Sequence, residues 1–146
     1  MHRAARLRAR QLEPQPRLAA GKALAHCGAS AMIDLSDGLG GDALHLSKQS
    51  GVALRIDAGA VPLARGAAEV AVAAGCDSWQ LCLNGGEDYE LLASIPPQRL
   101  AEAERAVSEA EGVELTRIGE ALAGSGVEIR LPGGRLLEPA GFDQLA

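Results

Sequence analysis

The hydrophobic positions change period several times along this chain, and each change marks an element. Ala-rich spacing from Leu18 to about His26 predicts a short helix that stops at Gly28. The run Ala31 to Asp34 is a short apolar strand. Leu39 to Ser50 then carries Leu39, Ala43 and Leu46 on one stripe, a helix ended by Gly51. Alternation places Val52, Leu54 and Ile56 on one face of a strand over Val52 to Asp57. Pro62 is expected to open a helix that runs through Ala67 to Ala74 and stops at Gly75.

Downstream, a turn at Asn84 to Asp88 leads into a strand over Tyr89 to Ile95, halted by Pro96 and Pro97. Gln98 to Glu111 repeats every three to four residues, with Leu100, Ala103, Val107 and Ala110 inward and mostly charged residues outward. Val113 to Ile118 and Val127 to Leu131 are predicted strands, and Gly133-Gly134 a tight hairpin turn. The order α-β-α-β-α-β-α-β-β contains no internal repeat. It predicts an α/β (α+β) layered sandwich: a mixed sheet flanked by helices, parallel where helices cross over and antiparallel at the C-terminal hairpin.

Composition narrows the function classes. The 146 residues are 47% hydrophobic, enough to bury a core of ordinary size. Aromatic residues number one Trp, one Tyr and one Phe, so a surface that stacks bases is not available. A net charge of −5 argues against binding a nucleic-acid backbone, and no apolar run is long enough to span a bilayer. The expectation is a cytoplasmic protein without nucleic-acid or membrane partners. An acidic chain that handles phosphates needs a cation as intermediary. Cys27, Cys76 and Cys82 lack C-x-x-C spacing and read as small buried residues. Residues 1–16, with several arginines and the break at Pro14 and Pro16, read as a linker or N-terminal extension; 17–146 form the domain.

Two motifs carry the chemistry. The first, Asp34-Leu35-Ser36-Asp37-Gly38, stands where a strand gives way to a turn and then a helix, the end of an α/β sheet at which ligands sit. Asp34 and Ser36, two apart, share a strand face, and the turn can swing Asp37 round to join them. Converging carboxylates repel unless a cation compensates, and Mg²⁺, which takes one or two carboxylates plus phosphate oxygens, is the natural choice. The same residues also suit a plainer role, with Ser36 or Asp37 capping the N–H groups of the following helix. The second motif, Gly85-Gly86-Glu87-Asp88, is either a turn with solvated acids or a loop whose backbone approaches a ligand while Glu87 accepts a hydrogen bond from it.

Met32-Ile33-Asp34-Leu35-Ser36-Asp37-Gly38-Leu39, followed by Asn84-Gly85-Gly86-Glu87-Asp88-Tyr89-Glu90-Leu91 and by Gly141-Phe142-Asp143, resembles the C-terminal half of the thiamine-monophosphate kinases. These belong to the aminoimidazole ribonucleotide synthetase-like superfamily, and the resemblance runs from about Leu12 to Asp143. It implies phosphorylation of thiamine phosphate by ATP to thiamine diphosphate, with Mg²⁺ spanning the phosphates and in-line attack on the γ-phosphorus. Carried over by position, Asp34 and Asp37 would be Mg²⁺ ligands and Ser36 an ATP contact. Glu87 would contact the thiamine moiety and Phe142 would pack on it, an aromatic face beside a cationic ring.

Members of the family also have an N-terminal domain with further acidic ligands, which these 146 residues lack, so half an active site is expected. The full-length form is expected to be a homodimer, or the chain to require that N-terminal domain. Two alternatives stand beside the kinase: another superfamily ATPase of hydrogenase-maturation or selenophosphate-synthetase type, and a non-catalytic binding module.

Overall fold

The computed structural model describes residues 8–10 and 12–141. In chain order the elements are α1 (Leu18–His26), β1 (Ala31–Asp34), α2 (Leu39–Ser50), β2 (Ala53–Asp57), α3 (Ala67–Ala73), α4 (Ser78–Asn84), β3 (Leu91–Ser94), α5 (Leu100–Glu111), β4 (Gly119–Leu122), β5 (Gly126–Arg130) and β6 (Leu136–Leu137). Short 3₁₀ turns follow β2 and precede α5.

The strands form two sheets. Four line up as β4-β2-β5-β6, a mixed sheet in which β2 and β5 are parallel while β4 and β6 run antiparallel at its edges. β1 and β3 make a separate antiparallel pair, Ala31 opposite Ser94 and Asp34 opposite Leu91. The expected layered α/β architecture with a mixed sheet is therefore present, with the parallel pair joined through helices and the hairpin at Gly133-Gly134 antiparallel.

Each sheet has its own core. Leu39 and Ala43 of α2 pack with Ile56, Leu83, Ile129 and Leu137 over the mixed sheet. α1 and α5 bury Ala20, Leu24, Cys27, Ala103 and Val107 together, with Leu91 and Ala93 of β3 against them. α2 also contacts β1, so it touches both sheets. Its N-terminus consequently stands at their junction.

Two predicted elements and the reading of the cysteines are corrected. Val113 to Ile118 is not a strand: Val113 and Leu115 point into the α1–α5 core and Ile118 into the other, so this stretch bridges two cores and pairs only at its end, where Asp57 N–H donates to Ile118 carbonyl. The strand is Gly119–Leu122, and its first residue passes so close to β2 that a Cβ on Gly119 would lie 2.0 Å from the Arg55 carbonyl oxygen. Pro62 does not open α3, which begins at Ala67 behind a left-handed Gly66. Cys76 is exposed and Cys82 half-buried, so only Cys27 fits the reading as a buried small residue.

One helix escaped the pattern. α4 is capped by Asp77, whose carboxylate accepts the Gln80 N–H at 2.9 Å, and it buries Leu83 completely. Asp77 followed three residues on by Gln80, with Trp79 and Leu83 one turn apart, is the signal that identifies it.

Candidate functional site

The two motifs, fifty residues apart in sequence, are one backbone unit in space. Beyond the β1–β3 ladder the chains stay paired: Leu35 N–H donates to the Glu90 carbonyl, Tyr89 N–H to the Leu35 carbonyl and Glu87 N–H to the Ser36 carbonyl, each at 2.8 Å. Glu87 and Tyr89 reach this register with φ of 69° and 51°, left-handed conformations that non-glycine residues rarely adopt. Such strain persists only where surrounding structure holds it, and it concentrates at ligand sites.

The turn between β1 and α2 is shaped by a residue the motif does not contain. Asp42, in the first turn of α2 and 2% exposed, accepts the N–H groups of both Ser36 (2.9 Å) and Asp37 (3.0 Å) on its Oδ2. The expected capping of α2 by Ser36 or Asp37 does not occur: the N-cap is Gly38, with no side-chain cap hydrogen bond. The plainer role for the first motif is thus overturned. Ser36 and Asp37 give their N–H groups to a carboxylate, and among the described residues neither side chain caps the helix.

Burial pushes the Asp42 carboxyl above its ordinary range; the Asp37 and Ser36 N–H bonds oppose this, and the charges of Asp37 and Asp34 add to it. Asp34 is exposed at the end of β1, and Asp37 is partly exposed with His45 Nε2 at 4.0 Å. Asp34, Asp37 and Asp42 therefore make a locally negative field around one turn. Among the described residues no three His, Cys, Asp or Glu side chains form a closed metal cage. Two open carboxylates are a set that needs further oxygens from water or phosphate.

Close packing locks the helix end against two other segments. A Cβ on Gly40 would lie 2.1 Å from Asn84 Oδ1 and 2.9 Å from the Ala140 carbonyl, and one on Gly41 would lie 2.5 Å from Gly141 Cα. Asn84 itself donates to the Glu138 carbonyl and accepts from Ala140 N–H, both at 3.1 Å. The chain thus arrives at Gly141 beside Asp37. The next residue, Phe142, lies outside the described residues.

On the other side of the second motif, Glu90 is clamped. Arg17 donates to it from Nε (2.8 Å) and Nη2 (2.9 Å) and reaches Glu111 from Nη1 (3.1 Å), while Arg10 also pairs with Glu90. Against partial burial, these arginines hold Glu90 below the usual carboxylate range. Asp88, exposed as a residue, is the opposite case: desolvation of its carboxyl, with the charges of Glu90 and Asp42 and against that of Arg10, raises it to about 6. Arg10, Arg17, Asp88 and Glu90 line a cleft of about 220 Å³ with Glu13 and Gln15.

Of the residues singled out from sequence, Asp34, Ser36, Asp37 and Glu87 are brought to one place. Asp42, Asn84 and Arg17 were missed. Their signals were faint: an acid in the first turn of α2, the Asn that opens the second motif, and an Arg just after the Pro14 and Pro16 break.

The family descriptor AIR synthase related protein, C-terminal domain, matches residues 3–132. The chain belongs to that family. A thiamine-monophosphate kinase from Mycobacterium tuberculosis is 47% identical over 90 residues, covering 61% of this chain and 27% of the relative. The solved thiamine-monophosphate kinase of Stenotrophomonas maltophilia K279a superposes with TM-score 0.78 at 33% identity, over 88% of this chain and 40% of that one. AaThiL complexed with AMPPCP and TMP superposes with TM-score 0.73 at 31% identity, over 97% and 41%. The resemblance to the C-terminal domain of these kinases, read from the motifs, is borne out. The E. coli hydrogenase maturation protein HypE shares the AIR synthase related fold at TM-score 0.69 and 18% identity. The chain spans 27% of the M. tuberculosis relative and 41% of AaThiL. Among the described residues no helix is long and apolar enough to cross a membrane.

Proposed function

We propose that this AIR synthase related domain contributes the C-terminal share of an active site that transfers the γ-phosphoryl group of ATP to thiamine phosphate. The observation that carries the reading is the backbone pairing of the Asp34–Gly38 turn with the Glu87–Glu90 loop, which joins an acidic turn to a loop that holds two non-glycine residues in the left-handed region. Likeness to thiamine-monophosphate kinases, one of them complexed with AMPPCP and TMP, supplies the substrate classes.

The residues fit a magnesium ion. Asp34 and Asp37 offer hard carboxylate oxygens open to solvent, and among the described residues neither is paired with a Lys or Arg. Magnesium held there would supply positive charge to offset that of the phosphates. Asp34 and Asp37 are the residues that would hold it, and Ser36 would contact ATP. Glu87 would orient the thiamine moiety, and Phe142 would pack on its cationic ring. In the reaction an oxygen of thiamine phosphate bonds to the γ-phosphorus as the bond to the β-phosphate oxygen breaks, giving thiamine diphosphate and ADP. These side chains act by positioning and charge, since phosphoryl transfer needs little covalent help.

The remaining positioning groups belong to the part of the relatives that these residues do not span. The isolated 146-residue chain is therefore expected to fold, to bind ATP weakly, to self-associate and to turn nothing over. The full-length enzyme is proposed to be a cytoplasmic homodimer. The test is a chimera bearing the N-terminal domain of the M. tuberculosis relative ahead of this domain, assayed with ATP, Mg²⁺ and thiamine phosphate. Thiamine diphosphate formed by the chimera and not by the chain alone is the expected result. ATP hydrolysis by the chimera that ignores thiamine phosphate would replace this reading with that of a sister ATPase. A chimera that folds but neither binds nor hydrolyses ATP would leave a non-catalytic module.

A further inference from the structure

We infer that Asp42 is the positioning residue of the proposed phosphate site: by holding the N–H groups of Ser36 and Asp37 on one carboxylate oxygen, it sets the turn so that Asp34, Ser36 and Asp37 face a bound cation together. The inference rests on the functional reading above and extends it to a residue outside both motifs.

The geometry is specific. A turn entering a helix ordinarily satisfies its N–H groups with a side chain that precedes the helix. Here the acceptor comes from within the helix, five and six residues further along the chain, and its other contacts fix it. Asp42 N–H donates to the Gly38 carbonyl at 2.9 Å as part of α2, and its side chain is almost completely enclosed. A single Oδ2 receives two consecutive N–H groups, which fixes the orientation of the Ser36–Asp37 peptide plane. With that plane fixed, the Asp37 side chain leaves the turn in one direction and the carbonyl of Ser36 points to Glu87 N–H.

A neutral residue would serve a purely architectural role at lower cost, because a carboxylate buried beside two others raises the energy of the empty site. Groups that orient metal ligands typically change metal affinity on the order of 10- to 100-fold when removed, while contributing no ligand atom themselves. Asp42 has the placement of such a group. It also adds a third negative charge to the field at the turn.

The test uses the ¹⁵N-labelled chain with Mn²⁺, an ion suited to carboxylate oxygens, as probe. In the unsubstituted chain the Ser36 and Asp37 amides should exchange slowly with solvent, and Mn²⁺ should broaden the signals of residues 34 to 37. Asp42→Asn should keep the dispersed spectrum of the fold, speed exchange at those two amides, and weaken Mn²⁺ broadening on the order of 10- to 100-fold. Asp42→Glu, which keeps the charge and displaces the carboxylate, should weaken it as well. Fast exchange of the two amides in the unsubstituted chain overturns the inference with no variant needed. Mn²⁺ affinity unchanged in a folded variant overturns it too, by showing the contact to be structural only. Absence of Mn²⁺ broadening in the unsubstituted chain, with slow amides, is the separable outcome that defeats the functional reading itself.

Discussion

Glu87 donates its backbone N–H to the carbonyl oxygen of Ser36 at 2.8 Å while holding a φ of 69°. A bond that requires an unfavourable conformation makes stability at this position depend on backbone freedom rather than on side-chain contacts. Because the Glu87 side chain is exposed, Glu87→Ile should destabilise the domain by about 1–2 kcal/mol, the cost of a Cβ-branched residue in the left-handed region. Glu87→Gly should stay within about 1 kcal/mol of the original, since relief of strain and greater freedom of the unfolded chain offset each other. Urea unfolding of the two variants distinguishes them; equal midpoints would mean that the loop is not strained.

Replacing glycine by alanine within a helix ordinarily stabilises it by up to about 1 kcal/mol. That is the expectation for Gly21→Ala in α1, where a Cβ would meet Leu91 at 3.5 Å, an ordinary contact. Gly40→Ala in α2 should have the opposite sign, costing about 1–3 kcal/mol, because its Cβ collides with Asn84 Oδ1 and the Ala140 carbonyl. Thermal unfolding of the pair measures the contrast.

Asp88 should titrate near pH 6 by carbon-detected NMR of its carboxyl group. Its folded pKa lies above the unfolded value near 4, so the folded state binds this proton more tightly. The stability it confers is complete below about pH 4 and is lost as pH rises through about 6. Glu90→Gln should lower the midpoint, since it removes a like charge and leaves Arg10 to act on Asp88. An upward shift would contradict the charge arrangement.

On the proposed function, Asp37→Asn in the full-length protein should lower kcat by about 10²-fold or more with little change in melting temperature, because the fold uses its N–H while its carboxylate meets only the exposed His45, at 4.0 Å, among the described residues. Glu87→Ala should raise the KM for thiamine phosphate and leave that for ATP nearly unchanged. Steady-state kinetics in both substrates separate the two effects. An equal loss for both ligands on removing the Glu87 side chain would make its role architectural.

Sequence periodicity identified the elements whose apolar stripe is continuous, such as α2 through Leu39, Ala43 and Leu46. It failed where one segment serves two cores: Val113 and Leu115 alternate as a strand does and both face the α1–α5 core, yet Ile118, at the end of the same run, belongs to the other. It also failed where burial needs few residues, as in α4, anchored by Leu83 and a single Asp77 cap. The motif residues were legible because their types are chemically unusual together. The groups that arrange them were not, since Asp42, Asn84 and Arg17 act through partners that only the fold brings near. Asp42 is five residues from Asp37, but Arg17 is 73 from Glu90 and Asn84 is 56 from Ala140.

Asn84 ties the segment from Glu138 to Ala140 across the entrance of α2, and this has a consequence for biosynthesis. The turn at residue 36, the loop at residue 87 and the strap at residue 140 come from the beginning, middle and end of the domain. Contacts of such separation form late, after the local helices, because each must first overcome the entropy of closing a long loop. A nascent chain still short of Ala140 can hold α1 and α2, but it cannot close the packing around Gly40 and Gly41. The candidate site would therefore close on the ribosome only once nearly the whole domain has emerged, so prematurely terminated products would carry the motifs without the site.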